Sequence, residues 1–235
     1  MGLRFLITAL VLISLRTARG QEFVQHHLPN DTIGGEPPVV SVLPNGEVWA
    51  AWASQDTRTS PWTSRLHIRK LDAAGQLLVA NDLRFPNPGG WLMLHGATPL
   101  PGDGLALVGH FDSRAVLIRV DANADLVAAT HMSMSNFGER FTDVLVRPDG
   151  SLMVLGWCRT GGQQLPWVVR TDASGALVDA WSDRIPGMQG ALRCSKPTTD
   201  GGTLFFGSQF ASVDSSGMHV VKLDSSGVMQ WGRSL

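Results

Sequence analysis

The chain has 235 residues, with 19 Lys and Arg residues against 20 Asp and Glu residues and a formal net charge of −1 at pH 7. Hydrophobic residues make up 43% of the sequence and charged residues 17%, which is too apolar for a disordered chain. The balanced charge offers no basic surface to a nucleic acid, so we expect no nucleic-acid partner.

Residues 1–20 have the features of a signal peptide. Arg4 precedes an apolar run from Phe5 to Leu15, which is shorter than a membrane-spanning helix. Small residues then favour cleavage after Gly20. We therefore expect a secreted or periplasmic protein that has no transmembrane segment after cleavage. Two arginines near the cleavage site leave an uncleaved membrane anchor as the alternative.

A short pattern occurs four times in the chain after residue 38: a basic residue, any residue, Asp, two residues and usually Gly. Its Asp residues are 49, 51 and 52 positions apart, and a turn rich in Pro, Asp and Gly precedes each copy. The pairs are Lys70 and Asp72, Arg119 and Asp121, Arg170 and Asp172, and Lys222 and Asp224. Two patterns in register indicate an internal repeat, and we interpret the pairs as structural turns and ion pairs.

Each repeat contains four short runs rich in Val, Ile, Leu and Phe, separated by hairpin-type turns. Four-stranded antiparallel units at a period near 50 residues are typical of a β-propeller, in which each unit is one blade. An all-β sandwich is the alternative. The predicted organisation is a linker or edge strand at 21–37 and a propeller domain at 38–235, with repeats at about 38–86, 91–134, 141–185 and 191–235.

Four repeats predict either a closed small ring or an open arc of a larger propeller. An open arc leaves the outer faces of the first and last blades without a neighbour. Exposed apolar surface of that kind drives association, so in an open arc we expect self-association through the blade edges.

Residues 199–235 carry a resemblance to a known group. This stretch, from Thr199 through Lys222-Leu223-Asp224 to Trp231, resembles the repeat of secreted bacterial β-propeller proteins related to the quinoprotein (PQQ-like) group. The resemblance extends over most of 38–235 and implies a propeller scaffold without catalysis. The quinoprotein enzymes have a Trp in nearly every repeat and residues that hold the quinone and its calcium. This chain departs from them in both respects. We therefore expect no cofactor and no metal.

Function is expected at one end of the propeller, which we call the loop face. It carries the connections between second and third strands (54–64, 159–164 and 211–217) and the links between blades. Variable connections on a rigid scaffold commonly carry function. The candidate ligand-binding residues there are Trp62, Trp91, Phe137, Arg140, Trp157, Arg159 and Trp167. Packing between blades is the alternative role for each Trp, and a solvated surface charge for each Arg.

These features favour a non-catalytic binding or adhesion module with a protein or glycan ligand on the loop face. The alternatives are a hydrolase or lyase on the same face and a truncated propeller with no separate activity. Export also permits a disulfide between the only two cysteines, Cys158 and Cys194, which adjacent blades would bring together at one end.

Overall fold

The computed structural model describes residues 37–56, 63–85, 90–134, 138–181, 190–212 and 215–235. These residues form sixteen β-strands and no helix. The strands are β1 (Val39–Val42), β2 (Val48–Asp56), β3 (Thr63–Leu71), β4 (Leu77–Arg84), β5 (Leu92–Pro99), β6 (Leu105–Phe111), β7 (Arg114–Val120), β8 (Leu126–Met132), β9 (Glu139–Val146), β10 (Leu152–Thr160), β11 (Gln163–Thr171), β12 (Leu177–Trp181), β13 (Gly190–Pro197), β14 (Thr203–Ser212), β15 (Ser215–Leu223) and β16 (Met229–Ser234). The predicted signal peptide at 1–20 lies outside the described residues.

Each run of four consecutive strands forms one antiparallel sheet, giving the orders β1-β2-β3-β4, β5-β6-β7-β8, β9-β10-β11-β12 and β13-β14-β15-β16. This confirms the predicted all-β fold of four four-stranded antiparallel blades, which we number 1 to 4 along the chain. The first strand of each blade contacts the first strand of the next, so these strands form the inner side of the propeller.

The repeated Asp builds the turn between the third and fourth strands. In blade 3, one oxygen of Asp172 accepts hydrogen bonds from the backbone N–H groups of Ser174 (2.8 Å) and Ala176 (2.9 Å). Gly175 follows with a φ of +86°, a conformation that glycine adopts without a steric penalty. In blade 2, Ala124 takes the glycine position with a φ of +64°. The repeated pattern is therefore a structural turn.

The two lysines of the repeated pattern form ion pairs, but with acids other than the Asp residue of their own copy of the pattern. Lys70 contacts Glu47 at 2.8 Å, and Lys222 contacts Asp200 at 2.8 Å. Both acids belong to the hairpin turn between the first two strands of the same blade. Each lysine thus joins the two hairpin turns at one end of its blade, which we call the turn end.

Three apolar cores hold successive blades together. The cores lie between blades 1 and 2, 2 and 3, and 3 and 4, and within the described residues no core joins blade 4 to blade 1. Val42 on β1 is 63% exposed and Trp231 on β16 is 43% exposed. The described packing therefore joins the four blades in chain order through three cores, and both arrangements, closed ring and open arc, stay predictions.

Hydrogen bonds at the turn end reinforce each joint. In every case a side chain of one blade donates to a backbone carbonyl in the Asp turn of the next blade. The pairs are Asn81 to Ala124 (3.0 Å), Arg119 to Ser174 and Arg147 to Ser225. The Asp turn therefore closes its own hairpin and also accepts a hydrogen bond from the preceding blade.

Two of the connections expected to be long are tight. β10 continues to Thr160 and β11 starts at Gln163, with Gly161 and Gly162 between them at φ values of +58° and +82°. Positive φ at both central residues is the geometry of a type I′ hairpin, which suits the twist of paired strands. β14 and β15 are likewise separated by two residues. The predicted loops at 159–164 and 211–217 are mostly strand.

The structure also corrects the proposed disulfide, because Cys158 and Cys194 are both free. Cys158 is buried in the core between blades 2 and 3. Leu155, on the other face of β10, packs in the core toward blade 4, where Cys194 is located. Cys158 therefore faces away from Cys194. Burial raises the pKa of both thiols.

Candidate functional site

Three inner strands contain the same irregularity. The pairing of β5 with β6 steps from Leu94–Gly109 to Gly96–Val108, which leaves His95 as an extra residue. The same step leaves Thr142 extra in β9 and Arg193 extra in β13. Such β-bulges re-aim a side chain, and here they occur at one level in three consecutive blades.

Glycines in the second strands make room for these bulges. A Cβ atom added to Gly109 would lie 1.8 Å from the carbonyl oxygen of Met93, and one added to Gly156 would lie 1.8 Å from that of Arg140. Gly207 occupies the corresponding place opposite Leu192 in blade 4. In blade 1 the corresponding residue is Trp52, and the described pairing of β1 with β2 runs without a shift.

The bulges surround a polar cavity of about 340 Å³, which we call the axial pocket. Its lining residues are His95, Arg140, Thr142, Trp157, Gln164 and Arg193. Arg140 follows the link into blade 3, and Trp157 and Gln164 flank the β10–β11 hairpin, so the pocket lies at the loop face. Blades 2, 3 and 4 each contribute to it.

Arg140 and Trp157 form a cation–π pair across two strands. They are directly paired in the β9–β10 register, and the guanidinium carbon lies 5.4 Å from the indole centroid. An arginine over an aromatic face is attracted by the negative face of the ring. The indole therefore supports Arg140 at the wall of the pocket.

Two histidines stack beside the pocket. The ring centroids of His95 and His110 are 5.2 Å apart, and His95 Nε2 lies 3.1 Å from His110 Nδ1. Burial, with a contribution from Arg140, lowers the pKa of His110 to about 4. Burial and the charges of Arg140 and Arg193 also lower the pKa of His95. Both rings are neutral at pH 7, so the positive charge of the pocket comes from its arginines.

The inner strands of blades 3 and 4 are locked together beneath the pocket. The Thr142 hydroxyl donates to the carbonyl of Leu192 (2.7 Å). Asp143 accepts hydrogen bonds from the backbone N–H (2.6 Å) and hydroxyl (2.7 Å) of Ser195. Burial raises the pKa of Asp143. These bonds fix the strand that carries Arg193.

The candidate residues from the sequence have different locations. Arg140 and Trp157 line the axial pocket, and Arg159 is exposed at the adjacent hairpin outside the lining. Trp91 is 43% exposed at the link between blades 1 and 2.

Trp167 belongs to the core. It is 1% exposed, and its ring stacks on Phe141 with centroids 4.7 Å apart. It belongs to the core between blades 2 and 3, so it packs between blades, the alternative that the sequence left open. Trp62 and Phe137 lie outside the described residues.

Sequence reasoning missed four lining residues: His95, Thr142, Gln164 and Arg193. The available signal was a glycine inside the second strand of three repeats, because an interior glycine often indicates a bulge or a close backbone approach. Within the part of the chain that the structure describes, no group of three or more His, Cys, Asp or Glu residues is placed to hold a metal ion.

A larger groove of about 540 Å³ lies near the outer edge of blades 1 and 2. Phe85, Phe111 and the apolar residues Leu126, Val127 and Ala128 form most of its lining. It gathers few polar groups. Specific ligand sites combine an apolar or shaped wall with convergent polar groups, so the axial pocket is the better candidate.

No family model and no curated protein matches the chain. Solved structures do match it. The chain has a TM-score of 0.55 and 11% identity with a subtype N11 neuraminidase-like protein of A/flat-faced bat/Peru/033/2010 (H18N11). The match covers 88% of this chain and 55% of the neuraminidase-like protein, which is itself a propeller.

Two further similarities are weaker. A Bacteroides caccae protein of unknown function matches with 14% identity and a TM-score of 0.38 over 86% of this chain and 82% of its own. A Synechocystis apocarotenoid oxygenase matches with 13% identity and a TM-score of 0.49 over 84% and 49%. The match to the neuraminidase-like protein supports a propeller-like fold, and the chain spans about half the length of the neuraminidase-like and oxygenase proteins. No helix in the described ranges is long and apolar enough to cross a membrane.

Proposed function

We propose that this protein is a secreted, non-catalytic β-propeller module that binds a protein or glycan ligand at the loop face. The observation that carries the proposal is the axial pocket, in which residues of three blades converge at the predicted face. Its volume of about 340 Å³ falls within the range of small-ligand sites. The signal-peptide pattern of residues 1–20 supports export.

The composition of the pocket favours binding over hydrolysis. Its lining supplies two guanidinium groups, an amide, a hydroxyl, an imidazole and an indole, and none of the six lining residues is a carboxylic acid. A hydrolase or lyase on this face would need a general acid and a general base near a bound substrate. Among the described residues beside the pocket, His95 and His110 form a titratable pair, and the ring nitrogens at their contact already face each other.

The resemblance of residues 199–235 supports a further proposal, that the protein is related to secreted bacterial propellers of the quinoprotein group. The Asp224 turn that this stretch contains has the same hydrogen bonds as the turns at Asp72 and Asp172. The truncated-propeller alternative predicts that the chain has no binding activity of its own.

An array of immobilised glycans and extracellular proteins, probed with the purified protein, tests the proposal. We expect binding to at least one component, with loss of that binding in the Arg140→Ala/Trp157→Ala variant. Arg114→Ala is the matched control, because Arg114 is exposed at the loop end of blade 2 and does not line the pocket.

Failure of the array would contradict a binding module and favour the truncated propeller. Binding that Arg114→Ala removes as strongly as Arg140→Ala/Trp157→Ala would contradict the location. Release of cleaved glycan fragments would favour the hydrolase or lyase alternative.

A further inference from the structure

We propose that the axial pocket binds a sugar acid, whose carboxylate is held between Arg140 of blade 3 and Arg193 of blade 4. This inference rests on the proposed binding function and assigns its ligand a chemical class. The two arginines come from different blades, and both line the same cavity.

The charge of the pocket is the first argument. Arg140 and Arg193 line the same cavity as His95, and after burial their charges contribute to the lowering of the His95 pKa. Two described acids flank the lining residues on the inner strand of blade 3. Asp143 is engaged by Ser195 and by the backbone N–H of Val144, and Glu139 accepts a hydrogen bond from the backbone N–H of Met134. Among the described residues, the lining of this cavity has two cations and no acid, and a cavity of that composition attracts an anion.

The shape of the arginine groups is the second argument. A guanidinium presents a planar fork of N–H donors that matches the two oxygens of a carboxylate. Trp157 supports the Arg140 guanidinium from one side, with 5.4 Å between the guanidinium carbon and the indole centroid. Support of this kind reduces the side-chain entropy that binding would otherwise cost.

The remaining lining residues are the third argument, and they favour a sugar acid over a bare anion. Gln164 and His95 add neutral hydrogen-bonding groups to the same lining. Hydroxyl groups of a sugar ring are suitable partners for such groups. A cavity of about 340 Å³ also leaves room for a ring beside the carboxylate.

Isothermal titration calorimetry of the purified protein tests the inference with glucuronate as the probe. Glucose is the matched neutral sugar, and sodium sulfate and sodium phosphate are the inorganic anions. We expect glucuronate to bind and glucose to bind at least about tenfold more weakly, because hydrogen bonds between charged groups are worth more than neutral ones. Affinity for glucuronate should fall as salt concentration rises.

Two single substitutions locate the carboxylate. Arg193→Gln and Arg140→Gln should each weaken glucuronate binding about tenfold or more while leaving the thermal unfolding midpoint nearly unchanged. Arg114→Gln is the matched control, because it also removes one positive charge at the loop face, but from blade 2 and outside the pocket lining. It should leave the affinity for glucuronate within about twofold.

Four results would overturn the inference. They are equal binding of glucose and glucuronate, unchanged affinity in both pocket variants, binding of sulfate or phosphate without glucuronate, and no binding of any probe. The array described above decides the proposed function independently, since a protein ligand or a neutral glycan at the loop face would preserve that function while excluding the sugar acid.

Discussion

The two ends of the blades follow opposite rules. At the turn end the same Asp turn occurs in all four blades. Backbone carbonyl groups in three of these turns accept hydrogen bonds from the preceding blade. At the loop face three blades share a backbone bulge but place different residues on it: His95, Thr142 and Arg193. The repeated Asp turns therefore serve the assembly of the blades, whereas different side chains on a repeated β-bulge form the pocket.

Two tryptophans of blade 3 separate the core from the candidate site. Trp167→Ala should lower the free energy of unfolding by about 3–5 kcal/mol, because its buried ring leaves a cavity against Phe141. Trp157→Ala should lower it much less, since Trp157 is only partly buried, while weakening ligand binding. Urea denaturation measures both. Equal destabilisation by the two substitutions would contradict the separation of core and site.

A second contrast separates the bulge from the turn. Gly156→Ala should cost about 3 kcal/mol, because the new methyl group would meet the carbonyl oxygen of Arg140. Gly227→Ala at the turn end should cost only about 1–2 kcal/mol, since its φ is +86° and the methyl group would meet nothing within 4 Å.

Ligand binding provides the second readout for this pair of variants. Gly156→Ala should also impair the axial pocket, and Gly227→Ala should leave it intact. A larger loss of stability or of binding in Gly227→Ala would contradict the role assigned to the bulge.

Acid should weaken the turn end. Hydrogen bonds from Ser174 and Ser226 lower the pKa values of Asp172 and Asp224, and a hydrogen bond from Lys222 lowers that of Asp200. A carboxyl group with a lowered pKa in the folded state stabilises the fold above its unfolded-state pKa, near 4, and loses that contribution as the pH falls through its folded-state value.

The thermal unfolding midpoint should therefore fall between about pH 4 and pH 2. Asp172→Asn should reduce this pH dependence. Asp143 acts with the opposite sign, because its pKa is raised by burial. The contribution of Asp143 is complete once the pH has fallen to its unfolded-state pKa near 4, so a midpoint that rises between about pH 4 and pH 2 would contradict the role assigned to the turns.

The smallest expected effect concerns the two outer faces. Val40 and Val42 on blade 1 and Trp231 on blade 4 are exposed, and within the described residues no core joins these blades. We expect the purified protein to associate weakly with increasing concentration. Sedimentation equilibrium should show a rising average mass, which Trp231→Ser reduces. A monomer at all concentrations would contradict the prediction.

The sequence supported prediction of the fold because its signal is local and repeated. Asp72, Asp172 and Asp224 define hairpin turns through neighbouring residues alone, so their spacing revealed the blades. The pocket depends on Gly109, Gly156 and Gly207, whose effect appears only when the opposite strand is known. Trp157 and Trp167 look alike in the sequence, and the face of the strand on which each lies separates site from core.

A crystal structure of the purified protein bound to glucuronate would show the three bulges, the axial pocket and the ligand carboxylate in one experiment. The account predicts register shifts at His95, Thr142 and Arg193, which bring the three residues to one pocket, with the ligand carboxylate between Arg140 and Arg193. Uninterrupted pairing of β5, β9 and β13 with their neighbouring strands would contradict it, because His95, Thr142 and Arg193 would then lack the bulges that direct them into the pocket.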